Sequence, residues 1–459
     1  MTPSTRYPGG RVRGGVDVAV LGAGAAGALV CLHLARAAPS LRTALVGPGP
    51  AGIGIAYSTL EPGHLLNVPV ARMSARSDQP DEFLRWLELR GHQVSGNDFV
   101  PRALFGEYMH DLLTQTRAPL LRFAEQATSL SRAEDGLRIG LEDGRRLDAS
   151  AVVLAVGMLS PELPCPLRAV ARRAWDAGAL EGIPADAPLL LLGSGLTMAD
   201  VSLALVRRGH RGIIYALSRH GLLPAPHLAG PVMSAPFAPR STHLRDLLRA
   251  VRLEVCAVQA SGGDWRAVID ALRPLSPAIW ASLSLEDRRR FLRHLRAYWD
   301  VHRHRMAPES ARELHALMRT GRLRVQGGVV EHAITQDRLT TVRWRLRGTE
   351  ERREVTVARV LDCATAAGLT RADSPLLRSA EAAGLVRLDP LGLGIETASV
   401  GAAVGRNGLS TNLFAVGALR RFERWESIAI PELRDQAAAL STHLAHRLPP
   451  SGPSLYRLG

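Results

Sequence analysis

The chain has 459 residues, 46% of them hydrophobic, with four cysteines and a formal charge of +14. That length suits two or three domains with proper cores, and no apolar run approaches the ~20 residues of a membrane span. Cys31, Cys165, Cys256 and Cys363 are scattered without a C-x-x-C pair, which argues against a disulfide framework or a zinc site and fits a reducing compartment.

All 57 basic residues are arginine, so neither a lysine Schiff base nor a P-loop lysine is available. The arginines are spread along the chain and only 5% of residues are aromatic, a poor match to nucleic-acid binding and a better one to attracting anionic cofactors and substrates. Met1 to Gly15 carries Arg6, Arg11 and Arg13 but no separate apolar signal core, so a cytoplasmic protein is expected.

The first element is an apolar strand, Val18 to Leu21, followed by Gly22-Ala-Gly24-Ala-Ala-Gly27 and a helix-like run from Ala28. Strand, glycine turn and helix N-terminus together place a pyrophosphate against free backbone N–H groups and the positive end of a helix dipole. A second strand, Arg42 to Val46, follows. The acid that usually holds a ribose hydroxyl, about 20 residues past the loop, is here Gly47.

Next comes a connection rich in unusual residues: Gly52-Ile-Gly54-Ile-Ala-Tyr57, His64-Leu-Leu-Asn67-Val-Pro69 and Ala71-Arg72-Met73-Ser74. Its amide, imidazole and guanidinium groups suit a line of contacts along a flavin ring and its phosphates. Alternation from Gly136 to Leu147 around Asp143-Gly144 predicts a hairpin. The strand Ala151 to Gly157 follows, and Ser160 to Pro166 reads as a linker.

A second strand–turn–helix begins at Leu189–Leu192 with Gly193-Ser-Gly195-Leu-Thr197-Met198, where methionine stands in place of the third glycine. The strand Gly212 to Leu217 leads to Ser218-Arg219-His220, where a 2′-phosphate would need a cation. Residues 241–320 break the βαβ rhythm with a helical stretch and read as an insertion or cap. In it Arg296, Tyr298, His302 and Arg305 are candidates to line an anionic substrate's pocket. His294, His302 and His304 lack metal-ligand spacing and no carboxylate completes a shell, so no metal is expected. Strand signals return at Leu323, Thr340 and Val360, then Asn412 to Gly417, with a helix from Ile430.

Two such loops in one chain imply two dinucleotides bound face to face for hydride transfer. The fold class is therefore α/β, with two Rossmann-like dinucleotide-binding domains and a helical insertion. The expected limits are 1–165 for the first domain, 185–355 for the second with its insertion at about 241–320, and 356–459 for a return to the first.

Several runs resemble a bacterial family of FAD/NAD(P)-binding flavin monooxygenases related to the N-hydroxylating and Baeyer–Villiger enzymes. They are the first glycine loop, Gly52 to Tyr57, His64 to Ser74, Phe99-Val-Pro-Arg102 with Phe105-Gly-Glu-Tyr108, Gly193 to Met198, Tyr298 to Arg305, and Trp425-Glu-Ser-Ile-Ala-Ile-Pro-Glu432. The chain is similar also to FAD-dependent urate hydroxylases.

The resemblance implies FAD on the first domain and NAD(P)H as co-substrate on the second. Gly22, Gly24 and Gly27 would cradle the FAD pyrophosphate, with Asn67, Arg72, Met73 and Ser74 near the flavin and Gly417 closing over it. Gly193, Gly195, Thr197 and Arg219 would meet the nicotinamide nucleotide. The implied activity is monooxygenation through a C4a-(hydro)peroxyflavin, with O₂ and a small anionic substrate as partners, neither nucleic acid nor membrane, and urate as favoured substrate. N-hydroxylation of an amino acid or amine is the alternative; a non-catalytic nucleotide-binding redox sensor is the alternative from another class.

Overall fold

A computed structural model of the protein describes residues 15–116, 118–158, 163, 165–228, 237–364 and 374–448. Residues 160–162 and 164 of the expected linker, and the N-terminal arginines, lie outside these.

The first sheet is built on β1 (Val16–Leu21), whose six residues are all buried. Such a continuous run marks a parallel strand covered on both faces. Its neighbours are β2 (Thr43–Val46), β3 (Leu120–Phe123), a hairpin of β4 (Ala127–Ala133) and β5 (Gly136–Leu141), and the long β6 (Arg146–Leu154). β1 pairs in parallel with β2 and β6, and β2 with β3; β5 runs antiparallel to both β4 and β6.

Because side chains alternate along a strand, Val18, Val20, Leu45 and Val153 face one core, under the helices Ala25–Ala37 and Ile430–Arg447. Ala19, Leu21, Val46, Val152 and Leu154 face the other, under the β4–β5 hairpin and the helix Pro375–Ala382.

The second sheet starts from β7 (Ala171–Arg173), β8 (Leu189–Leu192) and β9 (Ile214–Ser218). It continues with β10 (Leu323–Gln336), β11 (Leu339–Leu346), β12 (Arg352–Val357) and β13 (Arg359–Asp362). Its order is β12-β11-β10-β9-β8-β13-β7. The fourteen residues of β10 pair in parallel with β9 at one end and antiparallel with β11 at the other.

β13 belongs to this sheet, through parallel pairing with β8 and β7. The expected return to the first unit at 356 therefore comes after Asp362. It is made by β14 (Ala402–Gly405) and β15 (Gly408–Ala415), the latter parallel to β6.

The helical insertion is also shorter than 241–320. Helix Pro308–Arg319 buries Ala311, Leu314 and Leu317 in the second unit's core beside Leu189, Met198 and Leu323. The helices between Leu244 and Arg303 instead pack Trp280 and Leu283 against Leu393 and Trp425 of the C-terminal segment. No described helix is long and apolar enough to cross a membrane.

Candidate functional site

Both glycine turns sit at the carboxyl end of a parallel strand and open a helix. Gly24 and Gly195 occupy the N-cap positions, without a side-chain cap and with no acidic residue in the first turn. The first amides of each helix are left for an external acceptor.

In the first loop a Cβ on Gly22 would stand 2.2 Å from the Ala155 carbonyl oxygen, and one on Gly27 only 1.9 Å from that of Gly22. Helix, turn and sheet meet there at backbone distance. Gly54 approaches the same loop, its notional Cβ 2.8 Å from Gly24 Cα. In the second loop a Cβ on Gly195 meets nothing within 4 Å, and Thr197 follows at the second helical position. These two side-chain-free cradles fit the pyrophosphates of two dinucleotides.

At the end of β2, Gly47 has φ +151, and a Cβ there would lie 2.8 Å from Ala23 N. No acid fits without moving the loop. Arg122 occupies this corner instead, donating to the carbonyls of Leu45 at 3.1 Å and Gly49 at 2.7 Å, and to that of Gly47.

The Ala71–Ser74 turn separates into two kinds of residue. The side chains of Met73 (2% exposed) and Ser74 (0%) face inward. Ser74 Oγ accepts from Phe83 N at 3.2 Å, so these two can offer a ligand only backbone. Arg72 donates its backbone N–H to the Pro69 carbonyl at 3.0 Å, while its guanidinium is solvent-accessible and makes no hydrogen bond or ion pair among the described residues. Burial first, and then the neighbouring Arg273, pull its guanidinium below the ordinary value, and it stays a cation. Asp270, Arg303 and Glu432 are its other charged neighbours.

Asn67 gives its carbonyl to His227 Nε2 at 3.0 Å. His64, expected along the cofactor, is 3% exposed and hydrogen-bonded to the Asp200 carbonyl at 3.1 Å. Gly417 (φ +76) donates its amide to Gln436 Oε1 at 3.0 Å, against the C-terminal helix.

The insertion candidates do not converge. Arg296 pairs with Asp300 at 3.3 Å and Tyr298 lies beside the His220 ring. His302 stands edge-on to Trp265, and Arg305 is buried against Asp270. The reason is local geometry: Tyr298 and His302 share one face of the helix Arg296–Arg303, Arg296 lies on another, and Arg305 follows the helix end.

The groups that do converge were missed. Arg273 clasps Glu432 through two hydrogen bonds of 2.8 and 3.1 Å. Arg303 reaches Glu426 at 3.1 Å and Glu432 at 3.5 Å. Trp299 Nε1 donates to Glu426 at 2.9 Å. Burial opposes ionisation of Glu426 most strongly, yet Arg303, His304 and Trp299 together hold its carboxyl below the usual range. This network ties the insertion to the start of the C-terminal helix. Its signal in sequence is the Trp425–Glu432 run, with one glutamate just before the C-terminal helix and the other in its first turn. Arg219 stands exposed just after β9. Among the described residues no group of three or more His, Cys, Asp or Glu side chains is placed to hold a metal ion.

Residues 19–159 match the family model described as FAD-NAD(P)-binding, so the first unit carries an FAD/NAD(P)-binding domain. A search of curated proteins finds no match. Among solved structures, the chain is similar to the ornithine N-hydroxylase of Kutzneria sp. 744, solved with reduced FAD, NADP+ and L-ornithine. The TM-score is 0.69 at 14% identity, covering 94% of this chain and 99% of that one. L-lysine 6-monooxygenase from Pseudomonas syringae gives 0.67 at 16%, over 95% and 100%. The FAD-bound cadaverine monooxygenase of Erwinia amylovora gives 0.64 at 11%, over 96% and 97%. The fold is thus that of the two-dinucleotide flavoenzymes.

Proposed function

We propose that the protein is an NAD(P)H-dependent flavin monooxygenase that N-hydroxylates a small amine carrying a carboxylate. The observation that carries this reading is Arg72. Its guanidinium, held on the first unit, has no hydrogen-bonding partner among the described residues, and the charges it feels are those of Arg273, Asp270, Arg303 and Glu432 on the insertion and the C-terminal segment. A substrate carboxylate suits that unpaired guanidinium. Likeness to hydroxylases of ornithine, lysine and cadaverine over nearly the whole chain supports the amine class. Urate, favoured from sequence, draws no support from these relatives.

FAD bound to the first unit would accept hydride from NAD(P)H and activate dioxygen. The chain's own residues do the rest. The amides after Gly22 and Gly24 hold the FAD pyrophosphate, and Gly27 lets the helix close onto that turn. Those after Gly193 and Gly195, with Thr197, hold that of the nicotinamide nucleotide, and Arg219 meets its 2′-phosphate. The insertion, strapped down through Glu426 and Glu432, keeps water from the reacting centre.

The test is NAD(P)H oxidation by FAD-loaded protein in the presence of L-ornithine, L-lysine, cadaverine or urate, with hydroxylamine product measured. An amino acid should stimulate oxidation and yield hydroxylamine. Arg72→Ala should raise its KM about 10- to 100-fold, the worth of one charge-assisted hydrogen bond, with flavin reduction unchanged. Stimulation by urate alone would overturn the proposal. An amino-acid KM left unchanged by Arg72→Ala would remove Arg72 from it.

A further inference from the structure

The two units meet through a buried joint one helical turn from the second glycine loop. Asp200, on the helix Leu196–Arg207, is 6% exposed and pairs with Arg102 Nη2 at 2.6 Å. Arg102 is the first residue of the first unit's helix Arg102–Thr114. Its Nε donates to the Leu65 carbonyl at 3.0 Å, and its backbone N to the His64 carbonyl at 2.9 Å. The His64 ring completes the joint: Nε2–H donates to the Asp200 carbonyl at 3.1 Å, and Nδ1 accepts from Thr59 Oγ1 at 2.7 Å. Both contacts are met by a neutral imidazole protonated at Nε2. Burial accordingly holds His64 down at about 4.

Resting on the functional reading above, we infer that Arg102 and Asp200 are positioning residues, a pin that fixes the nicotinamide-side loop against the flavin-side turn for hydride transfer. The pin links the Thr59–Asn67 segment, which leads to Arg72, to the helix whose N-terminus receives the second dinucleotide. Hydride transfer depends steeply on donor–acceptor placement, so an error of about 1 Å costs on the order of 100-fold. An ion pair whose carboxylate is buried and whose guanidinium is only 15% exposed resists the slippage that a solvated pair permits, because separating it strands a charge.

The charged groups facing Asp200 are Arg102 and Arg207; His64 and Cys363 are its titratable neighbours. Burial pushes the Asp200 carboxyl up to about 6 against the pull of both arginines. The pin is therefore charged above that pH and weakened below it.

The test is anaerobic stopped-flow bleaching of the FAD-loaded protein at saturating NADPH and NADH. Arg102→Gln and Asp200→Asn should each slow bleaching at least 10-fold, with FAD content kept and nucleotide KM changed less than about 3-fold. The double variant should be no slower than either single one. Arg102→Lys, which keeps the charge, should recover part of the rate. In the unaltered protein the rate should fall as pH drops through about 6, and in Asp200→Asn it should be slow and flat. Variants that melt at lower temperature but bleach at the normal rate would reduce the pair to a structural role and overturn the inference. So would a wild-type profile without a step near pH 6, even if no variant folds. Bleaching of the unaltered protein by neither nucleotide would overturn the functional reading itself.

Discussion

The two glycine turns share their spacing, strand and helix, yet they sit in opposite surroundings. In the first, Gly27 lets the helix touch the turn itself, because a Cβ would lie 1.9 Å from the Gly22 oxygen and 3.3 Å from Leu45 Cδ1. In the second, Met198 takes the equivalent place and is fully buried among Leu189, Leu191 and Val201, its sulfur 3.4 Å from Ser202 Oγ. The helix there packs through a side chain, while Gly195 faces open space. The first unit is also roofed by the C-terminal helix through Gly417 and Gln436. A closed cradle suits a ligand that stays. An open one suits a ligand that comes and goes every turnover.

The largest effect that would break this contrast is at Gly27. Gly27→Ala should drive helix and turn apart, costing about 2–3 kcal/mol as overpacking at backbone. The purified protein should lack flavin, read from its visible absorbance. Full flavin content would mean that the first cradle is not closed.

Next is the strap. Glu432→Gln leaves Arg273 and Arg303 with a weaker partner at sites that are 14% and 8% exposed. Glutamine keeps an acceptor, so what is lost is the charge assistance, about 1–2 kcal/mol, and the insertion should loosen over the site. Peroxide released per NAD(P)H consumed should rise several-fold, measured by a peroxidase-coupled assay, while flavin binding stays.

The contrast between the loops also explains what could be read before the fold was known. Both cradles were legible because glycine there answers a local demand, backbone approach at a strand end, which the sequence states outright. The paired departures at Gly47 and Met198 were legible as departures, but their consequences were not. That Arg122 fills the first corner depends on β3 pairing beside β2, seventy-odd residues later in the chain. The insertion was read as helical from its composition, but its pocket was assigned to Arg296, Tyr298, His302 and Arg305. Their grouping in sequence does not survive the fold, because Arg296 lies across the helix from Tyr298 and His302, and Arg305 lies past its end. Arg273, Arg303, Glu426 and Glu432 gather from segments more than a hundred residues apart, a convergence that only the tertiary fold creates.

A smaller effect sharpens the open side of the comparison. Gly195→Ala meets no atom within 4 Å, so stability should change by less than about 1 kcal/mol. The methyl group would project into the space given to the nicotinamide nucleotide. The KM for NAD(P)H should therefore rise with FAD content and melting temperature unaltered. Loss of flavin in this variant would show that the second loop is not independent of the first.

The smallest effect on turnover, one read as stability alone, lies where the second unit reaches across to the first, at His227. Its Nε2–H donates to the Asn67 carbonyl, and burial, reinforced by Arg305 and opposed by that hydrogen bond, holds it down at about 4. An unfolded histidine takes a proton near pH 6.5. Between these values the unfolded chain binds more protons than the native one, so stability rises with pH and is lost on acidification from about 6.5 towards 4. Asp200 works the other way: its raised carboxyl takes up a proton in the native state first, which offsets part of the loss below pH 6. The His227 share, about 1–3 kcal/mol, is isolated by comparing melting temperatures of wild type and His227→Gln from pH 7.5 to 4.5. The curves should converge as pH falls, because glutamine keeps an N–H donor and has no proton to gain. Parallel curves would mean that the contact at Asn67 is solvated, and that the units touch there more loosely than at Arg102 and Asp200.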